Sequence, residues 1–247
     1  MINDIAAYLK SNPYPGRGII VGRSADGKQA YALYFIMGRS ANSRNRVFAY
    51  TEDGIRTKAC DPSKMEDPSL VIYHPARFFE GALVLTNGDQ TDTVRHALAE
   101  GGNFRQALDT RKFEPDAPNY TPRISALLHA DGSYELSLLK SLEGDPACCV
   151  RSYFSYDKPK SGLGHVVHTY EGDGSPLPSF LGEPRMVPVC GTLEEYAALV
   201  WEALNEDNKV SLYACSIDLS HGGKSSDRKS TRLNSSHPTT SRMPSSA

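Results

Sequence analysis

Long apolar stretches are missing from this sequence of 247 residues. No window approaches the roughly 18 consecutive apolar residues that a transmembrane helix needs, so the sequence predicts no membrane span. The opening stretch MINDIAAYLKS also lacks the basic start and apolar core of a secretory signal. Both absences favour a protein of the cytoplasm.

Paired cysteines and familiar nucleotide-binding loops are missing as well. The five cysteines are Cys60, Cys148, Cys149, Cys190 and Cys215. Their number is odd and no two form a CxxC pair, so we predict neither a disulfide framework nor a structural zinc site. His165 and His168 are three positions apart on a predicted strand, where they would point to opposite faces rather than bind one metal. The sequence also contains no P-loop and no GxGxxG motif.

The carboxyl-terminal stretch 227–247 has a composition unlike the rest of the chain. It is rich in serine, threonine and arginine, lacks aromatic residues, and shows neither helical nor strand periodicity. Back-translation fits a common sequencing-library adapter, so we interpret it as a non-native, disordered tail on a C-terminally truncated domain. Without its four basic residues and one acidic residue, the formal net charge changes from −2 to −5. An acidic domain is unlike a nucleic-acid-binding protein, so any anion site must be local.

Alternating apolar residues predict many short antiparallel strands. The clearest hairpin covers 17–37, where two apolar runs flank the turn SADG, and a second covers 123–139. Further predicted elements are strands at 70–73, 82–86, 148–156, 164–170 and 210–219, and helices at 4–10, 91–100 and 192–204. This mixture predicts an α+β fold, with residues 1–226 forming one domain. The strand at 210–219 would lack a partner, which predicts a frayed edge.

Three polar segments follow predicted strands, and loops on a rigid scaffold are where binding residues concentrate. The first, GRSANSRNR at 38–46, offers arginines and hydroxyls that suit a phosphate, although a solvated basic turn fits equally. The second, TNGDQTDT at 86–93, precedes a helix, and turn and capping chemistry explains much of it. The third, FEPDAPNYTPR at 113–123, is stiffened by three prolines and suits either a pocket wall or an ordered connection.

Several longer motifs together resemble the archaeal-type IMP cyclohydrolase family, in a bacterial branch of it. The matching stretches run from Asn12 to about Leu219: NPYPGRG, FIMGRSANSRNRVF, LTNGDQTDT, FEPDAPNYTPRI, GHVVHTYEGDG and PSFLGEP. The resemblance implies a four-layer αββα sandwich like that of N-terminal-nucleophile hydrolases. Such enzymes expose an amino-terminal nucleophile, whereas this chain opens with Met1-Ile2-Asn3 and a predicted helix, so the likeness concerns the scaffold alone.

The resemblance also implies a reaction, the last step of de novo purine biosynthesis. In 5-formamidoimidazole-4-carboxamide ribonucleotide, the carboxamide nitrogen attacks the formyl carbon, and loss of water gives IMP. The reaction is intramolecular, so it calls for positioning and proton transfer rather than a covalent intermediate, metal or redox cofactor. The implied partner is this small nucleotide, with no nucleic acid and no membrane, and the family is expected to form homo-oligomers.

Carried onto this sequence, the resemblance assigns a role to each candidate residue. Tyr73 and Glu114 would be the acid/base pair, and Asp89, with Asn87, would contact the carboxamide and formyl groups. Tyr120 and Arg123 would form the remaining wall, with Arg123 facing the oxyanion. The residues expected to hold the 5′-phosphate and sugar are Arg17, Arg39, Ser40, Asn42, Arg44 and Arg46.

Two other functions remain open from the sequence. The bacterial branch has an inserted segment around 101–112, and a changed substrate would fit an amide or amidine hydrolase acting on another nucleotide-like molecule. A non-catalytic purine-nucleotide-binding protein is the second alternative. Convergence of the segment 38–46 with Tyr73, Asn87 and Glu114 within one nucleotide's length would favour the cyclohydrolase.

Overall fold

The computed structural model describes residues 4–65, 67–220 and 228–234. The strands are β1 Arg17–Arg23, β2 Gln29–Met37, β3 Val47–Thr51, β4 Gly54–Lys58, β5 Ala76–Phe79, β6 Ala82–Thr86, β7 Arg123–Leu128, β8 Tyr134–Leu142, β9 Asp145–Tyr156, β10 Leu163–His168, β11 Arg185–Pro188, β12 Lys209–Asp218 and β13 Arg228–Asn234. The helices are α1 Ile5–Ser11, α2 Ala41–Arg44, α3 Gln90–Ala99, α4 Phe104–Asp109 and α5 Leu193–Ala203, with a 3₁₀ turn at Pro62–Lys64.

These strands form two antiparallel sheets. The first has the order β11-β10-β1-β2-β12-β13, and the second runs β3-β4-β5-β6-β7-β8-β9 in chain order. The predicted α+β fold is therefore confirmed.

Three hydrophobic clusters stack the elements into helix, sheet, sheet and helix layers. Successive residues of β1 face opposite sides of the first sheet. Ile19 and Val21 lie between the two sheets. Ile20 lies on the other face, where it packs with residues of α1 and α5. On the far side of the second sheet, β6, β7 and β8 pack against α3 and α4. The two-residue period of a strand thus buries both faces of each sheet.

The turn between β1 and β2 forms as its residues predict. Asp26 accepts hydrogen bonds from the Lys28 amide at 3.0 Å and from the Ser24 hydroxyl at 2.7 Å. Gly27 has a φ of 73°, a conformation that residues with a side chain rarely adopt. The turn brings β2 directly beside β1, which places the end of β2 and the segment after it next to the start of β1.

Several elements differ from the sequence-based prediction. Residues 70–73 form a turn rather than a strand, because the amides of Val71 and Ile72 both donate to the carbonyl of Pro68. Strands β3, β4, β5 and β11 and helices α2 and α4 were not predicted. Helix α4 lies within the segment interpreted as an insertion, and Asn103 and Gln106 cap it reciprocally.

The prediction that residues 227–247 are disordered also differs from the structure over one stretch. Residues of β13, within the segment predicted to be disordered, pair antiparallel with β12 from Ser211 to Ile217. The edge of β12 presents backbone groups that an extended chain can pair with irrespective of its side chains. The rest of the tail, 235–247, lies outside the described residues, as do Met1, Ile2 and Asn3.

The described part of the chain contains no helix long and apolar enough to cross a membrane. All five cysteines are free. Within the same ranges, no three His, Cys, Asp or Glu side chains come together as metal ligands. His165 bonds to the Tyr134 hydroxyl of the second sheet, whereas His168 bonds to Tyr8 of α1 on the other side.

Candidate active site

A polar cavity of about 390 Å³ opens where the start of β1, the end of β2 and the segment before β7 meet. This volume lies within the range of roughly 300–1,000 Å³ that is usual for small-molecule pockets. Six predicted site residues line it: Arg17, Arg39, Ser40, Asn42, Arg46 and Glu114. The first and third polar segments therefore converge, although about seventy residues separate them in the sequence.

A buried ion pair forms the floor of this cavity. Nη2 of Arg17, the first residue of β1, lies 3.3 and 3.1 Å from the two carboxylate oxygens of Glu114. The Glu114 side chain is 2% exposed and that of Arg17 is 11% exposed. Arg17, which was predicted to hold the phosphate and sugar, therefore also contacts the catalytic candidate Glu114.

Opposing influences act on the pKa of Glu114. Burial raises it, because a carboxylate loses its hydration inside the protein, and nearby Asp116 raises it further. The positive charges of Arg17, Arg123 and Arg46 lower it, but the net pKa stays above its ordinary value. When ionised, a carboxylate with a raised pKa accepts a proton more readily than an exposed one.

A network of short hydrogen bonds holds the Glu114 segment in place. The amide of Glu114 donates to the carbonyl of Thr121 at 2.9 Å. The amide of Thr121 in turn donates to Asp116 at 2.7 Å, and its hydroxyl contacts both Asp116 and the Tyr170 phenol. Burial raises the pKa of Tyr170 to about 12, so its phenol stays protonated. Loop residues from two parts of the chain thus fix the carboxylate.

The segment after β2 supplies cationic and hydroxyl groups at the cavity wall. Ser40 and Ser43 cap the short helix α2 reciprocally. Nε of Arg46 donates to the Ser43 carbonyl at 2.8 Å. Its Nη1 is buried and meets no hydrogen-bonding atom among the described residues. Arg39 is more exposed, pairs with Asp173, and stacks 5.0 Å above the Tyr14 ring.

Tyr73 lies behind the cavity rather than on its surface. Its hydroxyl is 2.7 Å from the hydroxyl of Tyr34, and its amide donates to Thr57 at 2.9 Å. The phenol of Tyr34 is fully buried, and burial raises its pKa well above the ordinary value. The charge of Arg17 acts on this phenol as well, so Tyr34 and Tyr73 adjoin the Arg17–Glu114 pair.

Arg44 and Asn87 do not face the cavity, so the structure corrects their predicted contacts. The guanidinium of Arg44 donates to the carbonyl of Asp207, which directs it away. Asn87 is buried, with its Nδ2 donating to Pro122 at 2.8 Å and its Oδ1 accepting from Ile124 at 2.9 Å. Oδ1 also accepts from Nε2 of Gln90 at 2.9 Å, so the Asn87 side chain holds the loop beside β7.

Asp89, Tyr120 and Arg123 belong to a neighbouring region. Asp89 is half exposed, and its carboxylate pairs with Arg111 and, at 2.7 Å, with Arg123. Tyr120 and Arg123 line a second cavity of about 460 Å³ on the other side of the Glu114 segment. Asp89, Tyr120 and Arg123 therefore do not line the cavity that contains Glu114.

Six further polar residues, which the sequence analysis did not single out, line the first cavity. They are Tyr14, Ser43, Asp116, Asn119, Thr121 and Tyr170. Each lies within one of the motifs quoted above, so position inside those motifs was the signal. The motifs do not show which cavity each side chain faces. Along residues 113–117 the side chains alternate, so Glu114 and Asp116 line the first cavity and Phe113 and Pro115 line the second.

Comparison with known proteins gives a consistent set of matches. The sequence profile of the family described as "IMP cyclohydrolase-like protein" matches residues 14–222. The protein named "IMP cyclohydrolase" of Methanopyrus kandleri is 30% identical over 213 residues, which cover 85% of this chain and 96% of that protein. Its namesake from Methanosphaera stadtmanae is 32% identical over 163 residues, 64% of this chain and 74% of that one. The Methanococcus aeolicus protein of the same name is 27% identical over 125 residues, 49% and 61%.

Proposed function

We propose that this protein is an enzyme that closes the purine ring to give IMP, on the premise that the chain belongs to the family of IMP cyclohydrolase-like proteins. The substrate would be 5-formamidoimidazole-4-carboxamide ribonucleotide, and the products IMP and water. The observation that carries the proposal is the buried Arg17–Glu114 pair at the floor of a nucleotide-sized polar cavity.

We also propose that the four layers follow the scaffold of N-terminal-nucleophile hydrolases without their nucleophile. The support is the order of helix, sheet, sheet and helix that the three hydrophobic clusters define. Residues 1–226 would be the enzyme domain and 227–247 foreign sequence, with β13 pairing on an edge that accepts any extended chain. The five free thiols support a reducing, cytoplasmic site of action, and self-association stays a prediction.

Glu114 is the proposed general base. Its carboxylate would take one proton from the carboxamide nitrogen as that nitrogen attacks the formyl carbon, and would return the proton to the formyl oxygen. The resulting hydroxyl then leaves as water together with the N–H proton of the former formamide nitrogen, which forms the second ring double bond. Burial of Glu114 raises its pKa, and this makes the carboxylate a stronger base for the weakly acidic amide.

Arg46 replaces Arg123 as the proposed oxyanion partner. Arg46 lines the same cavity as Glu114, and its buried Nη1 meets no acceptor within the described ranges. Such a fixed donor stabilises negative charge that develops on the formyl oxygen. Arg39, Ser40, Asn42 and Ser43 lie nearer the cavity mouth and would hold the 5′-phosphate and ribose.

Tyr73 is retained as the proposed acid, acting from behind the cavity with Tyr34. The two phenols share a hydrogen bond of 2.7 Å, so a proton can pass between them without rearrangement of the backbone. Their nearness to Arg17 links them to the same buried ion pair as Glu114.

The test is a turnover assay with 5-formamidoimidazole-4-carboxamide ribonucleotide, without metal or folate, followed by ultraviolet absorbance. Wild-type protein is expected to form IMP. Glu114→Gln keeps the shape of the side chain but cannot accept the proton, so kcat should fall by about 10²–10⁴-fold. Glu135→Gln removes an equal charge from β8 outside the cavity and serves as the matched control.

The other outcomes separate the alternatives. If Glu114→Gln and Tyr73→Phe both turn over like the wild type, the acid/base pair is wrong. Tight binding of IMP without turnover would instead indicate a non-catalytic nucleotide-binding protein. Hydrolysis of a nucleotide-like amide without ring closure would indicate an amide or amidine hydrolase acting through the same cavity.

A further inference from the structure

The second cavity, behind the Glu114 segment, is more cationic than its surroundings. Its lining includes Arg111, Lys112 and Arg123, and none of the described residues that line it is acidic. The chain as a whole carries a formal charge of −2, so this concentration of positive charge is local. Cationic side chains that converge in a concave site select anions, and arginine in particular suits phosphate.

The ion pairs of Asp89 show that these cationic groups can bind an oxyanion. Its carboxylate, at the start of α3, bridges Arg111 and Arg123 from the edge of the cavity. Two guanidinium groups are therefore already directed at one oxyanion. A single carboxylate leaves a net positive charge among these groups, and Lys112 forms no ion pair within the described ranges.

Aromatic rings stand beside the cations in the same cavity. Phe113 and Tyr120 pack edge to face, with their centroids 5.5 Å apart. Tyr120 is one of three residues other than glycine, in the described part of the chain, with a positive φ, here 43°. A side chain held in this costly conformation is fixed by its surroundings rather than by local preference. Planar rings next to cationic groups are what a nucleobase and its phosphate require.

We propose that the second cavity is a separate binding site for a nucleoside monophosphate, and the choice of a purine, IMP, rests on the proposed function. Arg111, Lys112 and Arg123 bind the phosphate, and the Phe113–Tyr120 pair contacts the base. The cavity volume of about 460 Å³ exceeds that of the proposed catalytic cavity, so a mononucleotide fits by size. The proposal does not depend on turnover, because it concerns residues on the opposite side of the segment that carries Glu114.

A nucleotide bound at this site would change the electrostatic environment of Glu114. Charged groups face that carboxylate from several elements: Arg17 on β1, Arg46 before β3, Arg123 on β7 and Asp116 in its own segment. Arg123 belongs to both sites, because it lines the second cavity while its charge lowers the pKa of Glu114. A bound phosphate would offset the charge of Arg123, so the bound nucleotide would modulate the first cavity.

Calorimetric titration with IMP and, separately, with inorganic phosphate tests the proposal on the full chain. Wild-type protein should bind two molecules of IMP. The double variant Arg111→Gln, Lys112→Gln should weaken one site by roughly tenfold or more, since the phosphate loses two charged hydrogen-bond donors. Arg46→Ala should weaken the other site. The matched control is Arg56→Gln, Lys58→Gln on β4, which removes the same charge from exposed positions outside both cavities.

The outcomes are distinct from those of the turnover assay. A single IMP site, unchanged in the Arg111→Gln, Lys112→Gln variant, would overturn the second site whether or not the protein makes IMP. Tyr120→Ala should weaken IMP at the second site but leave inorganic phosphate unaffected. Equal binding of IMP and inorganic phosphate there would show that the ligand is not a nucleotide. In initial-rate assays without added IMP, the KM for the cyclohydrolase substrate should be unchanged in the double variant, since Arg111 and Lys112 do not line the first cavity.

Discussion

Arg17 influences the ionisation of Glu114 from a strand 97 positions earlier in the sequence. Its charge lowers the pKa of a carboxyl that burial raises. Arg17→Met should therefore raise the pKa of Glu114 further. If the ionised carboxylate is the base, the acid limb of the kcat profile should move to higher pH, and activity at neutral pH should fall. The measurement is kcat against pH for the variant and the wild type.

The control for this substitution is Arg56→Met, which removes a charge from the exposed face of β4 and should leave the profile in place. An acid limb that stays at the same pH in Arg17→Met would show that Glu114 is not the group titrating in turnover. Movement to lower pH would contradict the sign of the electrostatic argument.

The buried His168 and the partly buried His165 make stability depend on pH. Burial lowers the pKa of His168 to about 3 and that of His165 to about 4. The unfolded chain binds these protons near pH 6.5, whereas the folded chain does not, so the stabilisation is complete above pH 6.5 and declines below it. His168 alone should lower the free energy of unfolding by about 1.4 kcal/mol per pH unit in this range.

Calorimetric Tm values between pH 6.5 and 5 measure this effect while ordinary carboxylates remain ionised. His165→Gln should flatten the dependence, whereas His96→Gln, at an exposed helix position, should leave it as in the wild type. A Tm that is constant over the interval would mean that both imidazoles can be protonated in the folded protein.

For single residues, the sequence indicates which side chains belong to the candidate site better than it indicates where those side chains point. Glu114, Arg39, Ser40 and Arg46 were all predicted and line one cavity. The pairing of Arg17 with Glu114 was not predicted, because no local pattern relates residues 97 positions apart. The direction of Arg123 depends on its contacts with Gln90 and Asp89, which arise only after the fold forms.

Helix α5 shows how local sequence determines an element. Thr192 accepts from the Glu195 amide at 3.3 Å, and the Glu195 carboxylate accepts from the Thr192 amide at 2.8 Å. Thr192→Ala should therefore lower the free energy of unfolding by about 1 kcal/mol. Urea denaturation measures the change, and Thr192→Ser, which keeps the hydroxyl, is the matched control. Equal losses in both variants would mean that the cap does not stabilise the helix.

Helices and strands that have clear turn or cap residues in the sequence were predicted. Strands whose formation depends on pairing with the rest of the sheet were not. The hairpin of β1 and β2 and helix α5 have clear turn or cap residues within a few positions. Strands β3 and β4 are short and mix polar with apolar residues, so their pairing depends on the rest of the sheet. The apolar run at 70–73 was predicted as a strand because composition cannot reveal the turn begun by Pro68.

The two sheets share one hydrophobic core, so we expect the whole molecule to unfold together. The cluster between them includes residues of β1 and β2 from one sheet and of β6, β7 and β8 from the other. Neither sheet can keep its inner face buried alone. Unfolding followed by far-ultraviolet circular dichroism and by fluorescence of Trp201 should therefore coincide. A fluorescence transition at lower urea would show that the layer containing α5 unfolds separately.

The order of layers was implied by family resemblance and not by composition or periodicity. Periodicity shows that a strand has two buried faces, but it does not say which helices cover which face. That assignment comes from long-range pairings such as Gly18 with His168, which close the first sheet across most of the chain.

The contrast between the two sheets has a consequence for biosynthesis. The second sheet is a meander in chain order, so each of its strands can pair as soon as it leaves the ribosome. The hairpin of β1 and β2 is translated first, yet both of its neighbours, β10 and β12, are translated last. During most of translation this apolar hairpin has two open edges, and a nascent chain in that condition is a natural client for a chaperone.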